Sequence, residues 1–383
     1  MRQGRPGIQT KTIIKYGELW LKSEPVRRRF LGTLADNVRS QLKFAGVRDF
    51  RLEKTRDMLL LECAHAKAKG VLAKVFGVSW FAEAHETANK KKAIEKAVLA
   101  LAKTIRKKQT FAIRASRSDK TLPFTSKDIE NEMGAKIKRK VDLSNPDVTI
   151  FIEMRKDFAY VYSEKIKGAG GLPCGVTGRV LSLMSGGIDS PVASWLMMKR
   201  GCAVELVHFA SFEDDENKVE SIVRKLREYS PAPLYLHIIP FSKIQEAIAS
   251  GCEARMTCVL CKRLMYRTAE ALASQIKTKA LVTGENLAQV ASQTLDNLAA
   301  NNDAVSLPLL RPLLTMDKEE IIILAKKIGT YELSIKAAKP CKFVPRKPAT
   351  KARNEILLKE EKKIRGLKKL IREAVAKGKK VAI

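Results

Sequence analysis

The 383-residue chain has no apolar stretch long enough to span a bilayer, which excludes a helical membrane protein. Its first residues, Met1–Thr12, are polar and lack the apolar core of a secretion signal. The expectation is a cytoplasmic protein with no membrane partner. No internal repeat is visible, so a solenoid or propeller is not indicated. Acidic residues are in short supply: 41 Asp and Glu stand against 72 Lys and Arg, a formal net charge of +31. Seven cysteines in a chain of this size, in a reducing compartment, do not make a disulfide framework. They point instead to buried thiols and a reactive or metal site.

The apolar fraction is 45%, enough for proper cores and too much for global disorder. The length suggests two or three domains. The basic excess is spread over Lys90–Lys92, Arg106–Lys108, Lys136–Arg139 and Lys359–Lys380. Any one run reads as a solvated helix face. Together they favour a long polyanionic partner over a small acidic substrate.

Local patterns outline the fold. Thr12–Tyr16 is a β-branched strand, and Phe30, Leu34, Val38 and Leu42 form a helical stripe within Arg28–Lys43. Strands follow near Phe50–Glu53 and Met58–Cys63. A basic amphipathic helix is marked by Ala93, Ala97, Leu101 and Ile105. Thr110–Ala115 reads as a strand and Ser126–Val141 as a helix. Val148–Met154 and Phe158–Ser163 form a strand pair turned at Arg155–Asp157. Gly168–Gly178 is a linker or active loop. From Arg179 strands at Val180–Met184, Ala203–Phe209, Leu234–Ile239 and Ala280–Thr283 alternate with helices, which predicts a parallel sheet covered on both faces. Beyond Pro348 the composition predicts a charged helix.

The strongest motif is Ser185-Gly186-Gly187-Ile188-Asp189-Ser190, between an apolar strand and a helix containing Val192, Trp195, Leu196 and Met197. Glycines let backbone amides approach a phosphate, and the helix dipole holds the anion. A Gly-Lys-Ser/Thr is missing, so this is not a Walker A loop. The hexapeptide resembles the PP-loop of ATP pyrophosphatases, which cleave ATP between the α- and β-phosphates. That resemblance gives Ser185, Gly186, Gly187 and Ser190 to phosphate binding. It makes Asp189 important for activity, as an orienting or Mg2+-linked carboxylate.

Further blocks resemble one PP-loop family, the tRNA 4-thiouridine synthetases. They are Lys15–Lys22 (Lys-Tyr-Gly-Glu-Leu-Trp-Leu-Lys), Gly168–Gly175, Gly284–Thr294 with Leu310–Leu313, and Pro340-Cys341 to Lys351. They cover nearly the whole chain in order. The resemblance implies α+β N-terminal domains, ferredoxin-like at 1–65 and THUMP at 66–166. An α/β doubly wound parallel-sheet PP-loop domain would follow at 167–348, and a basic helical tail at 349–383. It implies that ATP is held by Leu183, Met184, His208, Phe209, Gly284 and Gln293 besides the loop, with Lys262 or Arg263 meeting phosphate. The RNA partner is tRNA, for which Arg114, Arg117, Lys120 and Lys127 are candidate contacts, and Phe124 a candidate stacking ring. Two departures stand out: Ala288 replaces a frequent glycine, and Ala210–Asn217 is acidic where the family has Ser, Pro and Thr.

The chemistry so implied is adenylation of uridine O4, expected at position 8 of tRNA, followed by sulfur attack at C4. Many bacterial relatives carry a C-terminal rhodanese cysteine, and this sequence ends on a basic segment instead. Cys258 and Cys261 lie one helical turn apart, beside Lys262 and Arg263, which are expected to lower their pKa values. Cys341 aligns with a family position used in sulfur transfer. The three suggest an iron–sulfur cluster held by three thiolates, as in archaeal-type members. A redox pair, a zinc site and inert thiols are the alternatives. Cys63 and Cys202 read as core, and Cys174 is reactive or incidental. The sulfur donor, sulfide or a cysteine desulfurase, stays open, as do a homodimer and a role in thiamine biosynthesis. The rival functions are another PP-loop thiolase, of the 2-thiouridine or 2-thiocytidine type, and a non-catalytic RNA-binding protein.

Overall fold

The computed structural model describes residues 9–63, 65–211, 216–337 and 341–383. It divides into two compact units, 1–171 and 172–383. Residues 212–215 of the acidic stretch 210–217, and Pro340 of the last family block, lie outside the described residues. Among the described residues no helix is long and apolar enough to cross a membrane.

The first unit is built on one sheet. Strand β1 (Gln9–Tyr16) leads to α1 (Glu24–Phe44), which buries Phe30, Leu34, Val38 and Leu42, the expected stripe. Strands β2 (Arg51–Lys54) and β3 (Leu59–Glu62) follow, then α2 (His65–Leu72) and β4 (Val78–Ala88). Neither α2 nor β4 is marked by the sequence pattern. The reason for β4 is physical: it pairs with β1 on one side and with later strands on the other. Phe81 and Ala82, neighbours in sequence, are both fully buried, so the period-two alternation that marks a half-exposed strand is missing.

Helix α3 (Lys91–Ala102) turns Ile94, Ala97 and Val98 inward, a face rotated slightly from the expected one. Strand β5 (Phe111–Arg117) runs parallel to β6 (Val148–Met154), which turns back into β7 (Phe158–Tyr162) as the pattern predicts. Helix α4 (Ser126–Ala135) starts on a Thr125/Asp128 capping box. It stops before the expected Val141 because the chain is drawn onto the sheet: the Phe111 amide donates to the Lys140 carbonyl, and Val141 bridges Phe111. With β8 (Ile166–Lys167) on β4, the order is β2-β3-β1-β4-β7-β6-β5. Gly168 is no free linker: a Cβ there would collide with the Val78 carbonyl, and the Gly170 amide donates to that same oxygen at 2.8 Å.

The second unit is an α/β sheet in the order β13-β12-β9-β10-β11-β14. Strands β9 (Arg179–Leu183), β10 (Ala203–Ala210) and β11 (Tyr235–Pro240) step outward in one direction. The chain then returns to lay β12 (Leu281–Val282) and β13 (Leu309–Leu310) on the other side of β9, all parallel. The order therefore reverses beside β9, where open parallel sheets bind ligands at their carboxyl ends. The helices are α5 (Asp189–Lys199), α6 (Glu216–Arg227), α7 (Ser242–Gly251), α8 (Thr257–Ile276), α9 (Leu295–Asn302), α10 (Lys318–Ile328) and α11 (Tyr331–Ser334).

The C-terminal segment corrects the expectation of one charged helix. It forms α12 (Asn354–Lys363), α13 (Leu367–Ala376) and β14 (Lys379–Ala382), with the helices separated at Gly366, φ 67°. Leu357, Ile364, Ile371 and Val375 join the core of α7, α8 and the sheet. Each large side chain so buried contributes about 1.5–3 kcal/mol, so the segment is part of this unit's core and not an appended tail. β14 pairs antiparallel with β11 and closes that sheet edge.

Candidate active site

The chain leaves β9 at Leu183 and turns into α5 through the Ser-Gly-Gly loop. Ser190 Oγ is the hub. It accepts from the Ser185 amide at 2.9 Å and lies 3.1 Å from Ser185 Oγ, which in turn accepts from the Gly187 amide at 3.3 Å. Lys218 of α6 covers the loop: a Cβ on Gly186 would stand 3.5 Å from its Cδ. Its ammonium donates to the Lys336 carbonyl at 2.7 Å. Gly284, after β12, lies where a Cβ would come within 2.8 Å of the Ser190 nitrogen and 2.9 Å of the Asp189 carbonyl carbon. Its part is to let the backbone pack against the start of α5.

Asp189, in the first turn of α5, is held by two partners that the sequence reading missed. Lys318 Nζ reaches Oδ1 at 2.6 Å, and Gln289 Nε2 donates to Oδ2 at 3.0 Å. Lys318 opens α10, whose start is fixed by the Asp317/Glu320 capping box. That box is a signal readable in Asp317-Lys-Glu-Glu320. Its link to Asp189 is not readable, because 129 residues separate the pair.

Beside the loop lies a cavity of about 420 Å³, of a size that takes small ligands. Ten of the expected residues line it: Leu183, Met184, Ser185 and Gly186 on one side, His208 and Phe209 at the end of β10, and Cys258, Cys261, Lys262 and Cys341 opposite. His208 Nδ1 donates to the Met184 carbonyl at 3.0 Å, tying two strand ends together. Gln245, Thr257 and Phe343 were not foreseen on the wall. Gln245 bonds the Cys261 thiol.

Lys262 and Arg263 part company. Lys262 faces the cavity and pairs with Glu285 at 3.1 Å; Arg311 meets the same carboxylate at 2.7 Å. Burial alone would raise the Glu285 carboxyl, but Lys262 and Arg311 hold it below its ordinary value. Arg263 points elsewhere: it is 1% exposed, pairs with Glu361 at 2.8 Å and donates to the Ala300 carbonyl. It is a core group of this unit and does not reach the cavity. Gln293 is buried just behind Ser292, which does line the wall. Ala288, in the position often held by glycine, has φ 61°, a left-handed conformation that glycine adopts without strain.

The expectation of low cysteine pKa values is overturned. Burial pushes the Cys258 thiol up, and that of Cys261 up to about 12. The neighbouring cations do not compensate, since Lys262 is engaged by Glu285 and Arg263 turns to Glu361. Cys341 lies near enough to both thiols to disfavour their thiolates further. Among the described residues no group of three or more His, Cys, Asp or Glu side chains is arranged to hold a metal ion. Cys174 is buried, with its thiol also raised to about 12, and so is inert.

In the first unit, Arg114 is exposed and donates to the Leu143 carbonyl, Lys120 is exposed, and Lys127 pairs with Glu130 at 3.6 Å. Arg117 donates to the Leu122 and Phe124 carbonyls and fixes the loop before α4. Phe124 belongs to the core with Ile129 and Met133, so it does not present a face for a base to stack on.

Residues 175–365 match the family described as Thiamine biosynthesis protein (ThiI), residues 88–164 the THUMP domain, and residues 11–82 the ThiI ferredoxin-like domain. The chain is 42% identical over 366 residues to a probable tRNA sulfurtransferase of Caldanaerobacter subterraneus subsp. tengcongensis, spanning 92% of this chain and 94% of that one. It is 41% identical over 358 residues to the protein of the same description from Moorella thermoacetica, 90% of each chain. Its fold is similar to a crystal structure of a 4-thiouridine synthetase–RNA complex with bound ATP. There the TM-score is 0.90 at 33% identity, over 98% of this chain and 100% of that one.

Proposed function

The chain belongs to the Thiamine biosynthesis protein (ThiI) family, and from that premise we propose that it is an ATP-dependent tRNA sulfurtransferase that makes 4-thiouridine, at position 8. The observation that carries the reading is one cavity walled by a phosphate loop on one side and by three thiols on the other. The loop amides and the start of α5 hold the phosphates of ATP. Uridine O4 attacks the α-phosphorus and pyrophosphate leaves, stabilised by the loop and by Lys318. The adenylated oxygen is then a good leaving group. Sulfur attacks C4, the C4–O4 bond breaks, and AMP departs. The protein's contribution is orientation and fixed charge.

Asp189 orients Lys318 and Gln289, and its carboxylate is a hard-cation ligand suited to Mg2+ carried with the nucleotide. Cys258, Cys261 and Cys341 line one cavity and are the residues that would hold an iron–sulfur cluster, thiolate sulfurs being the ligands such clusters take. Held by these three thiols, such a cluster would supply iron to which sulfur from a donor, sulfide or a cysteine desulfurase, could bind. Iron and sulfide analysis after anaerobic purification, on the parent and on each Cys→Ala variant, separates this from a two-cysteine redox pair, which needs no iron. Residues 66–166 serve as the RNA-binding portion and the second unit, 172–383, with the C-terminal segment in its core, as the catalytic one. The enzyme acts in the cytoplasm, on its tRNA.

The test is Asp189→Ala. Thiolation and tRNA-dependent AMP release are expected to vanish while tRNA affinity stays within about twofold, a change under 0.5 kcal/mol. Loss of tRNA binding with ATP turnover intact would refute the assignment.

A further inference from the structure

Between Glu332 and Glu355 the sequence has seven Lys and Arg and no Asp or Glu. This segment leaves the cavity wall at Cys341, Phe343 and Val344 and ends at α12. Its second half is a pinned ledge. The Ala349 amide donates to the Arg255 carbonyl at 2.9 Å, two residues before cavity-lining Thr257. On the other side Asn297, fully buried, donates to the Ala349 carbonyl at 2.9 Å and to the Ala291 carbonyl at 2.7 Å, beside cavity-lining Ser292. Asn297 Oδ1 accepts from the Ala352 amide at 3.0 Å, and Thr294 Oγ1 donates to the Thr350 carbonyl at 2.6 Å. The ledge thus bridges two walls of the cavity.

On this fixed backbone Ala349 and Ala352 point into the core, while Arg346, Lys347, Lys351 and Arg353 are exposed. Among the described residues no carboxylate pairs with any of the four. The nearest acids along the chain are turned inward. Glu360 is 6% and Glu361 5% exposed, and Glu361 is taken up by Arg263 and Arg267. Holding four unpaired cations on a rigid strip at the rim costs repulsion that an anion would relieve.

We propose that this ledge is an RNA contact surface of the catalytic unit, gripping the phosphodiester backbone on either side of the nucleotide presented to the cavity. The inference rests on the tRNA reading above. Its chemistry is that of phosphate contacts, which position a nucleic acid without reading its sequence. The strip supplies about four such contacts, in addition to any made by the first unit.

The experiment uses the full chain with R346Q/K347Q/K351Q/R353Q. KM for tRNA in the thiolation assay is expected to rise at least about tenfold near 0.1 M salt. KM for ATP at saturating tRNA and the melting temperature are expected to stay as in the parent. The slope of log affinity for tRNA against log salt, by filter binding, is expected to shrink by about 3–4, at roughly 0.9 per phosphate contact. R346K/R353K, which keeps the charges, is expected to retain the parent slope. An unchanged slope and KM in the folded quadruple variant overturn the proposal. So does a loss of tRNA affinity that is the same at every salt concentration. Binding to vesicles containing phosphatidylserine that the variant loses while keeping tRNA affinity also overturns it, in favour of a membrane surface. If the parent itself makes no thionucleoside, the functional reading fails, and the filter-binding slopes still decide whether the ledge holds RNA.

Discussion

Gly284 and Asp189 are in backbone contact across the junction of β12 and α5, and the phosphate loop depends on that closeness. A methyl group at residue 284 would sit 2.8 Å from the Ser190 nitrogen, where only a backbone shift can relieve it. Gly284→Ala is therefore expected to lower kcat/KM for ATP by about 100-fold, the effect of an ångström-scale misplacement, with tRNA affinity unchanged. Steady-state kinetics on both substrates checks this, and an unaffected kcat/KM would mean that the loop tolerates the shift. The thiols make a second residue-scale prediction. Burial pushes the Cys261 thiol up to about 12, so it carries very little of the reactive thiolate at pH 8. Alkylation of the metal-free protein, followed by peptide mass spectrometry, is expected to label exposed Cys341 first and Cys261 last. The reverse order would mean that the cavity activates Cys261. The hexapeptide and the three cysteines were readable in the sequence because their spacing is local or matched a family. Lys318 and the inward turn of Arg263 were not, since each is decided by a partner about 100 residues away.

Among the elements, β14 is the one whose removal is most telling. Its register on β11 runs from Tyr235 opposite Ala382 to Ile238 opposite Lys379. Ending the chain after Lys377 leaves β11 as a bare edge strand that carries buried Leu236, Ile238 and Ile239. The expected result is a lower melting temperature for the second unit and concentration-dependent aggregation, read by calorimetry and light scattering. An unchanged melting curve would show that the edge needs no cover. Sequence pattern identified α1, β6, β7 and β9–β11, where one face is apolar or the whole strand is. It missed β4, a central strand in which Phe81 and its neighbour Ala82 are both fully buried, and β14, whose Lys379 and Lys380 read as part of a charged helix. A strand recruited to an edge by tertiary pairing carries little intrinsic signal.

At the scale of the molecule, the function proposed above assigns RNA capture to one compact unit and chemistry to the other, and the charge of +31 runs through both. Residues 1–171 alone are expected to bind tRNA with a log–log salt slope near −5, taking about six phosphate contacts and the duplex coefficient as guide. A fragment that is folded and yet binds no tRNA at low salt would place capture in the second unit. The central claim, that one cavity joins adenylation to sulfur delivery, is tested most directly by product analysis of a single reaction. Purified protein, tRNA, ATP and sulfide are incubated anaerobically, and nucleosides and nucleotides are quantified by mass spectrometry. The account predicts one 4-thiouridine and one AMP formed per tRNA modified, and neither without tRNA. AMP released with no thionucleoside, or 2-thiouridine in place of 4-thiouridine, would contradict it.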